Sequence, residues 1–274
     1  MNAVTRNERN TMRQTFRSAL LLLPALVSVG SAQNPNPVPK DPSPWKQHAM
    51  DRPAPVVVTP GPYVGPVAPP SDAIVLFDGR SLAEWRSADS TKGDAKWTIA
   101  DGSIVAAPGA GDIATRRSFG DVQLHLEWSA ANPPKGTSQD RGNSGVFFMS
   151  TYEIQILDSY HAATYPDGQA ASIYGQFPPL VNAMRPPGEW QVYDIVFRRP
   201  HFDATGKVTA PARVTVLHNG ILVQDDMSLL GPTSNSVRSA YLAHPDKLPL
   251  KLQDHGHPVR FRNIWIRELP APGS

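Results

Sequence analysis

The chain has 274 residues, with 26 lysines and arginines against 24 aspartates and glutamates, and no cysteine. That length allows one large domain or two small ones. The balanced charge gives no support for nucleic-acid binding, and the lack of cysteine excludes a disulfide framework, a thiolate metal site and a cysteine nucleophile.

The N-terminus comes first in chain order. Much of the positive excess sits in Arg6, Arg9, Arg13 and Arg17. An apolar run from Ala19 to Val29 follows, then the small residues Gly30, Ser31 and Ala32. This is the pattern of a secretory signal peptide over residues 1–32, cut after Ala32, and it predicts export to the periplasm or beyond. The run contains Pro24 and is shorter than the ~20 residues that span a bilayer, so no stable membrane insertion is expected. Met12 is an alternative start. Residues 33–72 are rich in proline, from Pro35 to Pro70. Proline fixes φ and removes a donor, so an extended spacer is predicted there. The alternative is a docking arm anchored by Trp45, Tyr63 and Val56-Val57-Val58.

From residue 73 to 269 the pattern becomes short apolar runs between Gly, Pro, Asn and Asp clusters. The predicted strands are Ile74–Phe77, Trp97–Ala100, Ser103–Ala106, Val122–Trp128, Gly145–Met149, Tyr152–Leu157, Gln191–Arg198, Ala212–His218, Ile221–Gln224, Leu250–Asp254 and Phe261–Glu268. Many alternate with period two, and none shows a sustained helical period. An all-β, jelly-roll-type sandwich follows. Asn219-Gly220 between two alternating runs predicts a two-residue type I′ hairpin. Two long loops interrupt the pattern. Residues 159–188 have the composition of either a binding loop or a proline-braced surface loop, and residues 228–249 read as a rigid surface loop.

Phosphate-binding loops, dinucleotide fingerprints, a Gly-x-Ser-x-Gly elbow and a His-Glu-x-x-His helix are all missing. Carboxylate and histidine chemistry remains. On the strand Tyr152–Leu157, Glu153 and Gln155 share one face and Tyr152, Ile154 and Ile156 the other. Polar groups on a buried strand are costly unless partnered or used. The segment Glu153-Ile-Gln-Ile-Leu-Asp158 resembles the Glu-x-Asp-x-x-Glu strand of laminarinase-type glucanases, with Gln155 and Asp158 in place of the two later acids. In Leu250–Arg260, Lys251, Gln253 and His255 share a face, and His255 ends the strand before Gly256. There it can act as a base, as a metal ligand or as a hydrogen-bonded turn residue. Trp190 has the choice of a sugar platform or the core.

Several motifs occur in one order: Phe77-Asp-Gly-Arg-Ser-Leu-x-x-Trp85, Gly142-Asn-Ser-Gly-Val-Phe147, Tyr152-Glu-Ile-Gln-Ile-Leu-Asp158, Ile173-Tyr-Gly175, Gly188-Glu-Trp190, His218-Asn-Gly220, Leu252-Gln-Asp-His-Gly256 and Arg260-Phe-Arg-Asn-Ile264. The ordered set resembles the 3-keto-disaccharide hydrolase family across residues 74–269. The resemblance implies a concanavalin A-like jelly roll of two curved antiparallel sheets with the sugar site on the concave face. It also implies cleavage of 3-keto-glycosides by removal of the C2 proton, β-elimination and hydration, and an upstream sugar oxidoreductase that makes the substrate. Under it, Glu153 and His255 are the candidate catalytic pair. Asn143, Gln155, Asp158, Tyr174, Trp190 and Gln253 are candidate sugar ligands. The motifs specify no cofactor, and a divalent cation is a candidate. The alternatives are a non-catalytic carbohydrate-binding module, an ordinary glycoside hydrolase and a structural cell-envelope protein.

Overall fold

A computed structural model describes residues 34–271. The expected signal peptide lies outside the described residues. Among them, helix is limited to two single 3₁₀ turns, at Ser90–Lys92 and Pro166–Gly168, and no helix is long and apolar enough to cross a membrane.

The strands run β1 (Val56–Val57), β2 (Ile74–Phe77), β3 (Trp85–Ser87), β4 (Thr98–Ala100), β5 (Ser103–Val105) and β6 (Ile113–Phe119). Next come β7 (Val122–Ser129), β8 (Ser144–Phe148), β9 (Tyr152–Ile156), β10 (Val181–Asn182), β11 (Gln191–Arg198) and β12 (His201–Phe202). The last are β13 (Val208–Ala210), β14 (Arg213–His218), β15 (Ile221–Ser228), β16 (Leu248–Leu252) and β17 (Arg260–Glu268). One antiparallel sheet has the order β15-β14-β11-β7-β17-β5-β4, with β2 also paired to β17. The other has the order β3-β6-β16-β8-β9. The first pairs β7 with both β11 and β17, and its alternation puts Leu124, Leu126, Tyr193, Ile195 and Phe197 in the core.

The sheets meet face to face. Phe148 on β8 stacks on Phe197 on β11 with ring centroids 4.7 Å apart, and the Tyr193 hydroxyl donates to the Gln155 carbonyl at 2.8 Å. Leu250, Leu252, Val146, Ile154 and Ile156 complete the core from the second sheet. This is the all-β jelly-roll sandwich predicted from the alternation. The β14–β15 hairpin closes as expected: His218 pairs with Ile221, and Asn219 and Gly220 take φ of 54° and 80°. Asn219 also ties the hairpin to its surroundings, donating to the Ala183 carbonyl and Gln191 and accepting from the Val192 amide, each at 2.8 Å.

The proline-rich segment is extended but does not stand free as a spacer. Val56 and Val57 pair in parallel with Val181 and Asn182. Asn36 donates to the Gly206 carbonyl at 2.9 Å, and its side-chain oxygen accepts from the Val208 amide at 2.7 Å. The Tyr63 hydroxyl donates to Glu127 at 2.8 Å. Backbone pairing and polar side chains together hold the segment, and it belongs to the same compact unit as the sandwich.

Candidate active site

The outer face of the second sheet carries the polar residues that the alternation excludes from the core. In β9, Tyr152, Ile154 and Ile156 point inward, so Glu153 and Gln155 share the outer face. Opposite them, Phe147 pairs with Glu153 and Gly145 with Gln155. A Cβ at Gly145 would fall 2.3 Å from Glu153 Oε1 and 2.8 Å from Phe147, so only glycine leaves room for this carboxyl. From β16, Lys251 shares that face, and Gln253 follows with its amide donating to the Gly145 carbonyl at 3.1 Å.

These strands and the two long loops enclose a cavity of about 270 Å³. Its lining includes Asn143, Glu153, Gln155, Tyr174, Gln253 and His255. Six of the eight residues singled out in the sequence thus converge. The Asn143 amide donates to the Gln139 carbonyl at 2.8 Å, and the Tyr174 and Tyr165 hydroxyls pair at 2.8 Å. Gln155 turned with its amide nitrogen toward Glu153 donates to Glu153 Oε1 at 3.1 Å and to the Ser144 carbonyl at 3.0 Å. His255 is exposed at the rim.

Two candidates lie elsewhere. Asp158 follows the end of β9, on the opposite parity from Glu153. It is buried against Arg141, whose Nε donates to it at 2.7 Å, and it lines a neighbouring cavity of about 310 Å³. Trp190 precedes β11 and lies under the Arg262 guanidinium, 3.8 Å from the ring centroid, so its face is taken. The neighbouring cavity is larger and more apolar, and the buried carboxylate in its lining, Asp158, is engaged by Arg141.

Burial is what makes Glu153 unusual. Its side chain is 5% exposed, and desolvation pushes its pKa up to about 8, against the pull of the Lys251 ammonium. Lys251 is itself engaged with Asp112 at 2.7 Å and with the Phe147 ring at 3.9 Å. Burial likewise raises the Tyr174 phenol, keeping it a donor.

The sequence reading missed Phe147, Thr233, Ser234 and Asn235, which also line the cavity. The last three correct the reading of residues 228–249 as a plain surface loop: Thr233 Oγ1 accepts from the Glu153 amide at 3.0 Å and anchors the loop to the site strand. Phe147 was legible by parity with Gly145, but the loop residues carried no local signal. Among the described residues no group of three or more His, Asp or Glu side chains could hold a metal ion. The cavity offers one carboxylate, one imidazole and amide oxygens, a set poorer in charge than cation sites built on several carboxylates.

Comparison with known proteins agrees with this architecture. The curated 3-keto-disaccharide hydrolase of Bacteroides thetaiotaomicron is 26% identical over 247 residues, spanning 72% of this chain and 78% of that protein. A crystal structure from Parabacteroides distasonis, provisionally named a glycosyl hydrolase, is 45% identical with a TM-score of 0.71, covering 79% of this chain and 93% of that one. A second structure from that organism, also provisionally named a glycosyl hydrolase, shares the fold at 22% identity and a TM-score of 0.52, covering 72% of this chain and 99% of that one. The family model for the 3-keto-alpha-glucoside-1,2-lyase-like domain matches residues 72–267, from just before β2 to within β17, and the chain belongs to that family.

Proposed function

We propose that the protein is an exported enzyme that cleaves 3-keto-glycosides, with Glu153 as the base that takes the C2 proton. The observation that carries this reading is a buried carboxyl raised to about 8, set in a polar cavity of a family named for this chemistry. The cavity lies near the small end of ligand pockets, roughly 300–1,000 Å³, a size for one sugar ring and part of its substituent.

A ketone at C3 acidifies the C2 proton. Ionised Glu153 takes that proton, and the electron pair passes through the C3 enolate. Expulsion of the C1 oxygen then forms the C1–C2 double bond of an enone. His255, at the rim where the leaving group departs, supplies a proton to that oxygen directly or through water. Water then adds, its hydroxyl to C1 and a proton from Glu153 to C2, and its other proton returns to His255. The net change is hydrolysis. Donors on Asn143, Tyr174 and Gln253 can hold the ring hydroxyls and the C3 oxygen as it gains charge, while Gln155 holds the Glu153 carboxyl in place. A carboxylate of raised pKa is a stronger base toward carbon, which is what burial provides. Clustered titratable groups without a tryptophan in the lining favour an enzyme over a sugar-binding module. The Arg13–Ala32 segment supports export, and the substrate chemistry calls for an oxidoreductase that makes 3-keto sugars.

Two outcomes follow. Glu153 works as a base only when ionised, so with a nitrophenyl 3-keto-glucoside, whose leaving group needs no proton from His255, kcat/KM should climb by about tenfold per pH unit below about 8 and level off above it. A profile that falls through that range would assign Glu153 as an acid instead. His255→Ala should slow release of alkyl or sugar leaving groups by about 10²-fold or more, yet hardly affect nitrophenolate, which leaves without a proton. Equal losses for both leaving groups would remove His255 from the proton-donor role.

A further inference from the structure

The family match begins at residue 72, so the arm that precedes it lies outside the family domain. Part of that arm nevertheless packs behind the wall of the Glu153 cavity, against residues that line it. Asp41 pairs with Arg238 at 2.8 Å, and Arg238 donates to the Gly175 carbonyl at 3.2 Å. Gln47 donates to the carbonyl of Ser234, a lining residue, at 2.6 Å. The His48 amide donates to Asp167, which is 1% exposed, at 2.9 Å, and His48 Nδ1 lies 3.5 Å from the same carboxylate. The His48 ring lies 4.1 Å from the Tyr165 ring and 5.3 Å from that of Tyr174.

The fit is close. Gly175 takes φ of 69°, and a Cβ there would fall 2.6 Å from Gln47 Nε2 and 2.8 Å from the Ser234 carbonyl. The arm, the Tyr174 turn and the Ser234 turn thus meet at one point with no room for a side chain. His48 itself holds φ of 60°, an uncommon conformation for a non-glycine residue. Tyr174 is otherwise fixed by its own amide, which donates to the Glu153 carbonyl at 3.3 Å, and by the hydroxyl pair with Tyr165. Without the arm, the outer sides of both tyrosine rings and the Ser234 turn would lose their packing partner.

We propose that residues Asp41–His48 brace the substrate pocket from behind its lining, with His48 positioning Tyr174 and Gln47 positioning the Ser234 turn. The substrate side of this inference rests on the reading of the Glu153 cavity as the 3-keto-sugar site. His48 touches no reacting atom. It fixes where the Tyr174 phenol stands before substrate arrives, so its loss should fall on substrate binding more than on the chemical step.

The test uses the full chain with His48→Ala, and with His48→Phe as the variant that keeps a ring on Tyr165 and Tyr174. In ligand-free protein, His48→Ala should speed hydrogen exchange at the Tyr174 and Gly175 amides by about tenfold or more. With a chromogenic 3-keto-glucoside, KM should rise by about tenfold while kcat changes by less than about threefold, and His48→Phe should recover most of that KM. Unchanged exchange at both amides overturns the positioning role, whatever the substrate. Faster exchange with unchanged KM also overturns the proposal, because it reduces His48 to a structural part. If the wild type itself turns over no 3-keto sugar, the functional reading falls, and the exchange measurement still decides the positioning. Should His48→Ala fail to fold, Gln47→Ala gives the same two readouts at the Ser234 turn, with the same outcomes deciding.

Discussion

Glu153→Gln should abolish cleavage of a 3-keto-glucoside and, above about pH 8, should leave the protein more stable than the wild type. Both effects come from the same desolvation. The amide fills the same space but cannot accept the C2 proton, so the loss of rate should reach the 10²–10⁴-fold typical of removing a general base, or more. The stability effect has a definite sign. The folded pKa, about 8, lies above the ordinary value of 4.5. The unfolded chain therefore releases this proton first, and the native state loses stability as pH rises from about 4.5 to about 8. Glutamine titrates nowhere in that window. The variant should gain on the wild type across it by an amount on the order of a few kcal/mol, levelling off above it. Urea unfolding of both proteins at pH 5, 7 and 9 reads the difference. Parallel stabilities across that range would show that the carboxyl is not buried in its neutral form.

Arg262→Ala should be the most destabilising single change on the first sheet. Glu127 is fully buried, and burial alone would push its pKa up. Hydrogen bonds and charge from His125, Asn263, Arg262 and Tyr63 instead hold it down to about 2. Arg262 Nε donates to it at 2.7 Å, Asn263 at 3.0 Å and Tyr63 at 2.8 Å. Removing one partner of a buried ion pair costs about 3–5 kcal/mol, here toward the lower end because Arg262 keeps 24% of its side chain exposed. Adding Glu127→Gln should restore much of the loss, since the neutral amide needs no cation. A loss below about 1 kcal/mol in chemical unfolding would show that the other three partners suffice. The same carboxylate sets an acid limit. Its contribution is fully present above about 4.5 and is lost as pH falls through about 2. His125, raised to about 9 by Asp194 and Glu127 against the opposing effect of its burial, contributes stability below 6.5 that is lost as pH rises through about 9.

The strands were legible wherever alternation was clean. Gln191–Arg198 alternates buried and half-buried residues along its whole length, and Val122–Ser129 alternates apolar and polar residues although both of its faces are covered from Leu124 onward. Strand β6 was not foreseen. Arg116, Arg117 and Ser118 are consecutively exposed, and the register with β16 slips between Pro249 and Lys251, so the alternation breaks where a bulge sits. Strand β3 is only three residues long and depends on pairing with β6.

At the site, parity identified Glu153 with Gln155 and Gln253 with Lys251, because a strand fixes which side chains are neighbours. Parity also explains the two misplaced candidates. Asp158 lies beyond the strand end and on the other parity, where Arg141 takes its charge. Trp190 precedes its strand, and its face is filled by an arginine 72 positions later in the chain. The raised pKa of Glu153 and the contributions of Thr233, Ser234 and His48 depend on segments that meet only in the folded chain, and no local pattern encodes them. The arm was the hardest to read. Its prolines specify an extended backbone, but its partners, such as Glu127 for Tyr63 and Asp167 for His48, lie far along the chain.

The most direct measurement incubates the purified protein with a chromogenic 3-keto-glucoside and with its unoxidised parent, each with and without a chelator. Elimination from a carbon made acidic by the C3 ketone predicts release from the keto substrate alone, with loss on chelation adding a metal requirement to the Glu153 chemistry. Equal release from the parent glycoside, or saturable binding of the keto sugar with no release, would contradict the account.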